Sequence, residues 1–216
     1  MSKTVLVLDV GGTNLKLLLS GESAPIKVPS GPGFTPRALV AAVKKTIGDK
    51  PYDAVTIGFP AAIVDGKISH EPVNLGKGWV KFNFQKAFGK PVVVMNDAAM
   101  QALGSYEGGT MLFLGLGTGL GSALVVGGKV APLELAHLPY RRGEYEDYVG
   151  LSGYEKFGKK GWRGHVATVT ELLRKAMVAE YVVLGGGQSK KLKALPPHCR
   201  RGDNLNAFKG GQRIWE

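Results

Sequence analysis

Short apolar runs separated by glycine-rich turns dominate the hydrophobic pattern of this chain. Such runs predict buried strands, and they cover residues 5–10, 15–19, 26–28, 54–59, 91–95, 110–114, 122–126 and 181–184. Apolar residues at helical spacing predict helices over 34–47, 98–106, 145–157, 164–179 and 205–215. The first of these helices starts with Thr35 at the N-cap position and Pro36 directly after it. Residues 70–90 predict an irregular loop, and the whole pattern predicts an α/β protein.

The first glycine turn joins the two opening strands in the stretch VLVLDVGGTNLKLLL. Gly11 and Gly12 allow backbone N–H groups to approach an anion closely, and Thr13 and Asn14 add side-chain donors. Asp9 alone would repel a phosphate, but it suits a site where a divalent cation, or a water on one, lies between carboxylate and phosphate. This combination indicates phosphoryl transfer with Mg²⁺. The alternative is an ordinary glycine-turn hairpin with a capping aspartate.

A second glycine turn, Gly115–Gly121, repeats this arrangement between two later strands. It also carries a threonine, Thr118, and the repeat predicts an internal duplication. Neither turn has the P-loop pattern. A strand is predicted after the second turn, where a dinucleotide-binding fingerprint would need a helix. Two such turns could hold a phosphate chain from opposite sides.

Asp97 is the candidate catalytic group because it follows a fully apolar strand and precedes a predicted helix. Reactive groups of α/β proteins commonly occupy this position. The alternative is that Asp97 only caps the helix that follows it.

Composition and charge narrow the class of protein further. The 216 residues are 44% hydrophobic and 21% charged, which is typical of a globular protein. The net charge of +11 favours polyanionic partners, although a merely solubilising surface would carry the same charge. Cys199 is the single cysteine, so an intramolecular disulfide is excluded and a reducing compartment is expected. The sequence has neither a signal-peptide pattern nor an apolar run of membrane-spanning length, so we expect a cytoplasmic protein without a membrane partner.

Several motifs together resemble the ROK sugar kinases of the actin/hexokinase/Hsp70 superfamily. DVGGTNLK is similar to the first phosphate motif of that family, LGLGTGLGSAL to the second, VMNDA to the segment with the catalytic aspartate, and VVLGGG to the nucleotide loop. Longer stretches, including VNLGKGW and ELAHLPYRRGEYEDYVG, are closest to the polyphosphate glucokinases within the family. The chain departs from the usual Glu-x-Gly-His pattern by having Ala136 in place of the glycine.

The resemblance implies a duplicated, actin-like (ribonuclease H-like) α/β fold with two lobes and a cleft between them. The expected N-terminal lobe covers residues 1–97 and is rejoined by a closing helix, 204–216, while residues 98–203 form the C-terminal lobe. A homodimer is also implied. The zinc site of the family, built from one His and three Cys, cannot form with Cys199 alone, so no structural zinc is expected.

The resemblance also implies a role for each candidate site residue. Asp97 would be the general base that accepts the proton of the sugar hydroxyl. Asp9 would hold Mg²⁺, most simply through water. The sugar would be bound by Asn74, Asn96, Asp97, Glu134, His137 and Glu146. Phosphate would be bound by Asp9, Gly11, Gly12, Thr13, Asn14, Lys16, Gly117, Thr118 and Gly119. The nucleotide would be bound by Gly185, Gly186 and Gly187.

The expected activity is transfer of a phosphoryl group from polyphosphate, ATP or both to the 6-hydroxyl of glucose, with mannose as a further acceptor. One alternative is a strictly ATP-dependent ROK kinase for another hexose. A second is a non-catalytic polyanion- or sugar-binding protein. Nucleic acid is not an expected partner, because aromatic residues are not interleaved with the basic ones and Asp9 and Asp97 would oppose an anionic ligand.

Overall fold

The computed structural model describes residues 3–203 and 205–216. The chain divides into two compact units: Met1–Met100 together with Ala207–Glu216 form unit 1, and Gln101–Asn206 form unit 2. The boundary expected from the sequence, after residue 97, lies close to the division after Met100.

Unit 1 is built on a five-stranded sheet in the order β3-β2-β1-β4-β7. The first three strands form an antiparallel meander, whereas β4 and β7 run parallel to β1. A separate two-stranded hairpin, β5-β6, follows β4. The bounds are β1 Val5–Val10, β2 Asn14–Leu19, β3 Ile26–Pro29, β4 Ala54–Phe59, β5 Ile63–Val64, β6 Lys67–Ile68 and β7 Val92–Asn96.

The first helix of unit 1, α1 (Pro36–Ile47), begins as the sequence predicts. The Thr35 side chain accepts a hydrogen bond from the Ala38 N–H at 3.3 Å, and Leu39 and Val43 are buried against the sheet. The loop predicted over 70–90 is partly wrong, because it contains a short helix, α2 (Phe84–Phe88). Its five residues are too few to show a helical period in the sequence.

The core of this loop region is Trp79, which is 1% exposed. Its indole N–H donates to the Gly76 carbonyl oxygen at 2.7 Å, and its ring centroid lies 4.7 Å from that of Phe59. A loop with few regular hydrogen bonds is therefore fixed by one large aromatic side chain.

Unit 2 contains a second five-stranded sheet, in the order β10-β9-β8-β13-β14. Again three antiparallel strands are followed by two parallel ones, so the topology of unit 1 recurs and the expected duplication is confirmed. The strands β10 and β14 were not predicted in full, because both are short and largely polar or exposed. The bounds are β8 Thr110–Leu116, β9 Leu120–Val126, β10 Lys129–Leu133, β11 Pro139–Tyr140, β12 Gly143–Glu144, β13 Tyr181–Gly185 and β14 Cys199–Arg201.

The helices of this part of the chain are α3 (Asp97–Ser105), which contains the division between the units, α4 (Tyr145–Val149) and α5 (Leu151–Ala176). The predicted separation of helices 145–157 and 164–179 is present as a kink at Gly158, where φ is 61° and ψ is 175°. What the sequence did not predict is a further break at Gly150, which divides the first of these helices into α4 and the start of α5. Burial of Trp162, Val166 and Val169 keeps this glycine-rich stretch helical.

The last helix, α6 (Asn206–Arg213), is shorter than the predicted 204–216, whose first residue lies outside the described residues. Gly211 lies against Val7 of β1, where a Cβ atom would clash, and its carbonyl oxygen accepts a hydrogen bond from Thr56 Oγ1 at 2.6 Å. The glycines that weaken this helix locally therefore permit its close packing in unit 1. None of the described helices combines the length and apolar character that a membrane crossing requires.

Candidate active site

Asp97 lies at the carboxyl end of β7, at the first residue of α3. The capping bond of this helix comes from its neighbour: Asn96 Oδ1 accepts from the Ala99 N–H at 3.1 Å. Asp97 Oδ1 accepts from the adjacent Ala98 N–H at 2.8 Å, and the carboxylate also interacts with its own backbone N–H. The capping interpretation therefore belongs to Asn96, and the carboxylate of Asp97 is available for another role.

Asp9 lies at the corresponding end of β1, two strands away from β7. It is 7% exposed, and its Oδ2 accepts from Lys16 Nζ at 2.7 Å across the β1–β2 pair. Gly58 of β4 lies between the two carboxylates in the sheet, and a Cβ atom there would clash with Met100. Sequence reasoning missed Gly58, although its position at the end of a buried strand was visible.

These surroundings change the proton affinity of Asp97. Burial, and after it the nearby negative charge of Asp9, raises the pKa of its carboxyl group to about 7, while hydrogen bonds from the backbone N–H groups of Ala98 and Asp97 and the charge of Lys16 act in the opposite direction. A carboxylate poised near neutral pH is suited to accept a proton during catalysis and to release it afterwards.

The first glycine turn is held by one hydrogen bond within the hairpin and by one from a residue outside it. The Gly11 N–H donates to the Asn14 carbonyl oxygen at 3.0 Å, and Ser30 Oγ donates to the Gly11 carbonyl oxygen at 2.6 Å. Gly12 lies against Asn74, because a Cβ atom at Gly12 would lie 3.0 Å from Asn74 Cβ. Unit 1 thus brings together the predicted phosphate turn and one predicted sugar-binding residue. Thr13 is exposed beside them.

In unit 2 the second glycine turn lies beside Glu146, whose carboxylate would clash with a Cβ atom at Gly119. A cavity of about 340 Å³ adjoins this turn. Its lining includes the carboxylates of Glu146, Asp147 and Glu155 as well as Thr118. A cavity lined by three acidic residues disfavours phosphate unless a cation offsets their charge.

The predicted sugar-binding residues of unit 2 form a charged cluster. His137 Nδ1 lies 2.8 Å from Glu144 Oε2 and 3.9 Å from Glu146 Oε1, and the hydrogen bond to Glu144, followed by the charges of Glu146, Glu144 and Glu134, raises the pKa of His137. Sequence reasoning missed Glu144, because only the β11–β12 hairpin brings it to His137.

Three ligand atoms of this cluster, from His137, Glu144 and Glu146, lie within 4.8 Å of one another. Ligand spacing alone would therefore permit a cation, but all three groups are solvent-accessible and already paired with one another. Such an arrangement is common without any metal. It suits sugar hydroxyls equally well, because carboxylates accept hydrogen bonds and an imidazole both accepts and donates them.

The predicted nucleotide loop, Gly185–Gly187, begins at the last residue of β13 and leads into a 3₁₀ turn, Gly187–Lys191. Gly186 has φ = 76°, and a Cβ atom there would clash with the backbone of Leu116, the last residue of β8. This loop therefore requires glycine for both its conformation and its close packing.

Several basic residues that contribute to the net charge have partners within unit 2. Arg163 and Arg201 donate to backbone carbonyl oxygens, Arg200 pairs with Glu107, and Lys191 Nζ lies 3.6 Å from the ring centroid of Tyr154. These positively charged groups already interact with other parts of the protein, so they are poor candidates for binding a polyanion. The exposed lysines are the better candidates for a polyanion surface, namely Lys159, Lys160, Lys190 and Lys193.

Comparison with known proteins identifies the family. A model of the ROK family matches residues 5–132, more than half of the chain. The chain belongs to the ROK family. It is 24% identical over 208 residues to the polyphosphate glucokinase of Mycobacterium leprae (85% of this chain, 63% of that protein). It is 32% identical over 143 residues to the N-acetylmannosamine kinase of Escherichia coli O157:H7 (59% of this chain, 49% of that protein). The chain thus spans less than two thirds of the length of either relative.

Among solved structures, the inorganic polyphosphate/ATP-glucomannokinase of Arthrobacter sp. strain KM superposes with a TM-score of 0.81. Its sequence is 24% identical, and the match covers 99% of this chain and 98% of that one. This likeness confirms the fold predicted from the sequence, the actin-like α/β fold of ROK kinases, with two sheets of the same topology.

Proposed function

We propose that this ROK protein is a sugar kinase that transfers a phosphoryl group from polyphosphate, ATP or both to the 6-hydroxyl of glucose or mannose. The observation that carries the proposal is Asp97: a carboxylate at a strand end, free of the capping bond, whose pKa is raised to about 7. General-base catalysis at neutral pH needs such a group.

In the proposed reaction, Asp97 accepts the proton of the 6-hydroxyl as the sugar oxygen forms a bond to the terminal phosphorus. The bond from that phosphorus to its bridging oxygen breaks, and the shortened polyphosphate, or ADP, leaves with the electron pair. The protein's main contribution is to position the hydroxyl and to stabilise negative charge on the transferred group. Lys16 and the backbone N–H groups of Gly12 and Thr13 are the unit 1 groups suited to that charge, because the Gly11 N–H already donates to the Asn14 carbonyl oxygen.

Sugar hydroxyls would be held by Asn74 in unit 1 and by Glu134, His137 and Glu146 in unit 2. Glu144 would act on them indirectly, by orienting the imidazole of His137. Asn96, also predicted to bind sugar, already uses its amide: Oδ1 caps α3, and Nδ2 donates to the Ala61 carbonyl oxygen at 3.4 Å. We therefore assign Asn96 mainly to fixing the backbone beside Asp97.

Asp9 fits the expected magnesium ion. Among the described residues, only Lys16 bonds to its side chain, through Oδ2, so Oδ1 is available, and oxygen donors are what Mg²⁺ prefers. Bound there through water, the ion would supply positive charge to the phosphates.

Two observations support polyphosphate as a donor. The net charge of +11 suits a long polyanion better than a compact one, and the proteins to which the chain is similar include a polyphosphate glucokinase and a polyphosphate/ATP-glucomannokinase. The test is formation of glucose 6-phosphate with Mg²⁺, with long-chain polyphosphate or ATP at matched phosphoryl concentration and several salt concentrations. Asp97→Asn should lose turnover by a factor of about 10² or more while retaining sugar binding. Unchanged turnover would refute the assignment of Asp97.

A second candidate is an ATP-dependent kinase for another hexose, which the similarity to an N-acetylmannosamine kinase supports. A panel of sugars that includes N-acetylmannosamine, each tested with both donors, separates the two. Absence of phosphorylation throughout the panel, with retained binding of sugar or polyphosphate, would favour the non-catalytic alternative. The homodimer implied by the resemblance remains a prediction, to be tested by light scattering.

A further inference from the structure

The 3₁₀ turn Gly187–Lys191 directly follows the predicted nucleotide loop, Gly185–Gly187. The last carbonyl groups of such a turn have no partner within it. In this protein two arginines from separate elements donate to carbonyl oxygens at and just after the end of the turn: Arg163 of α5 and Arg201 of β14. We call this pair the arginine clamp.

Each guanidinium of the clamp makes two hydrogen bonds. Arg163 donates to the Lys191 carbonyl oxygen through Nε at 3.1 Å and through Nη2 at 2.5 Å. Arg201 donates through Nη2 to the Leu192 carbonyl oxygen at 2.7 Å, and through Nη1 to the carbonyl oxygen of Ser189. The carbonyl oxygens of Ser189, Lys191 and Leu192 thus accept from positively charged donors, which bind more strongly than neutral ones.

The restraint continues into the glycine loop itself. Ser189 is 2% exposed, and its hydroxyl donates to the Gly186 carbonyl oxygen at 2.8 Å. Gly186 in turn packs against the backbone of Leu116, the last residue of β8. A continuous path of hydrogen bonds and packing therefore leads from Arg201 through Ser189 to Gly186.

We propose that Arg163 and Arg201 are positioning residues that hold the Gly185–Gly187 loop in the conformation that receives the nucleoside part of a nucleotide donor. This inference rests on the proposed function. Because both guanidinium groups are used on carbonyl oxygens, they are not part of a polyphosphate surface. Polyphosphate has no nucleoside, so the clamp acts on the use of ATP and not on the use of the polymer.

The test compares Arg201→Met and Arg163→Met with Lys190→Met. The control removes one positive charge from the turn itself, at a residue that is exposed. Arg201→Lys and Arg163→Lys keep the charge and lose the two-pronged geometry, and they serve if a methionine variant does not fold.

The first measurement is hydrogen exchange of the amides of residues 186–192 in the protein without ligands. We expect exchange at least about tenfold faster in the clamp variants and unchanged exchange in Lys190→Met. The second is steady-state kinetics with both donors. The KM for ATP should rise about tenfold in the clamp variants, while the KM for glucose and the KM for polyphosphate stay within about twofold.

Unchanged exchange in the clamp variants would refute the restraint. Faster exchange with an unaltered KM for ATP, an equal rise in the KM for polyphosphate, or a wild type that uses polyphosphate alone would refute the role in nucleotide positioning. If the wild type phosphorylates no sugar, the proposed function fails separately. Calorimetric titration with ATP then decides the inference: weaker binding in the clamp variants supports it, and equal or absent binding overturns it.

Discussion

Replacing Asp97 by Asn should stabilise the protein at alkaline pH while it abolishes turnover. Asparagine has nearly the same shape and retains an Oδ1 to accept the Ala98 N–H bond at 2.8 Å. What it removes is a negative charge held in a desolvated position near Asp9. Active-site groups commonly lower the stability of the folded protein, because the arrangement that catalysis needs is not the most stable one.

The magnitude follows from the shift in pKa. The carboxyl group of Asp97 has a pKa of about 7 in the folded protein against a reference of 3.8. Above pH 7 this difference of about 3 units corresponds to at most about 4 kcal/mol of lost stability. The side chain is only partly buried, so water recovers part of the cost, and we expect Asp97→Asn to gain about 2 to 4 kcal/mol near pH 8.

The sign of the pH dependence is fixed by the direction of the shift. Because the folded protein holds the Asp97 proton more tightly than the unfolded chain does, the stability of the wild type falls as pH rises from about 4 through about 7. Asp97→Asn has no ionisable group at this position, so its stability does not fall with pH for this reason. The difference in unfolding free energy between variant and wild type should therefore be small near pH 4, grow with pH and level off above pH 7.

The assay is urea unfolding followed by tryptophan fluorescence at several pH values between about 5 and 8. Asp49→Asn, at an exposed position after α1, is the control for the same change of charge, and its effect should not vary with pH in this way. A constant difference between Asp97→Asn and the wild type across this range, or a loss of stability at pH 8, would contradict the reasoning. Loss of turnover without any gain of stability would retain the catalytic role and refute the electrostatic explanation.

Three further predictions concern separate parts of the site. The rate of sugar phosphorylation should rise with pH through a midpoint near the pKa of Asp97. Because Lys16 lowers this pKa, Lys16→Met should move the midpoint upward, and a pH–rate profile with an unmoved midpoint would contradict this prediction. Gly186→Ala should unfold at lower urea than the wild type, since φ is +76° and a Cβ atom would clash there, whereas Gly187→Ala, which has open space, should have little effect. Glu144→Gln should lower the pKa of His137 in an NMR titration, because the hydrogen bond to Glu144 is the main cause of its elevation; an unchanged titration would show that other charges set it.

Much of the fold could be predicted from local patterns. Predominantly apolar runs predicted β1, β4 and β13, and the Thr35–Pro36 start signal predicted α1. Burial and capping could be predicted here because both depend on residues that are adjacent in the sequence. The short helix α2 and the exposed strand β14 were missed. Their residues are held by packing and strand pairing with distant parts of the chain, which leave no local period.

The candidate site was predictable to the same extent. Asp9, Asp97 and the glycine turns were found because each follows an apolar strand, and strand ends are where such groups lie. Gly58, Glu144 and the arginine clamp were not found. The role of each depends on a contact with a residue on another element, as when Arg201 donates to the Ser189 carbonyl oxygen, and such contacts leave no local pattern in the sequence.

The sequence by itself determined the family, the α/β pattern and the residue types available for phosphoryl transfer, because motifs and hydrophobic periods are local. Only the tertiary structure decided how those residues behave. It assigned the capping bond to Asn96, brought Asp9 close enough to raise the pKa of Asp97, and committed several arginines to backbone carbonyl oxygens. Charge, hydrogen bonding and burial act over a few ångströms in space, and these distances arise only when the strands pair and the helices pack.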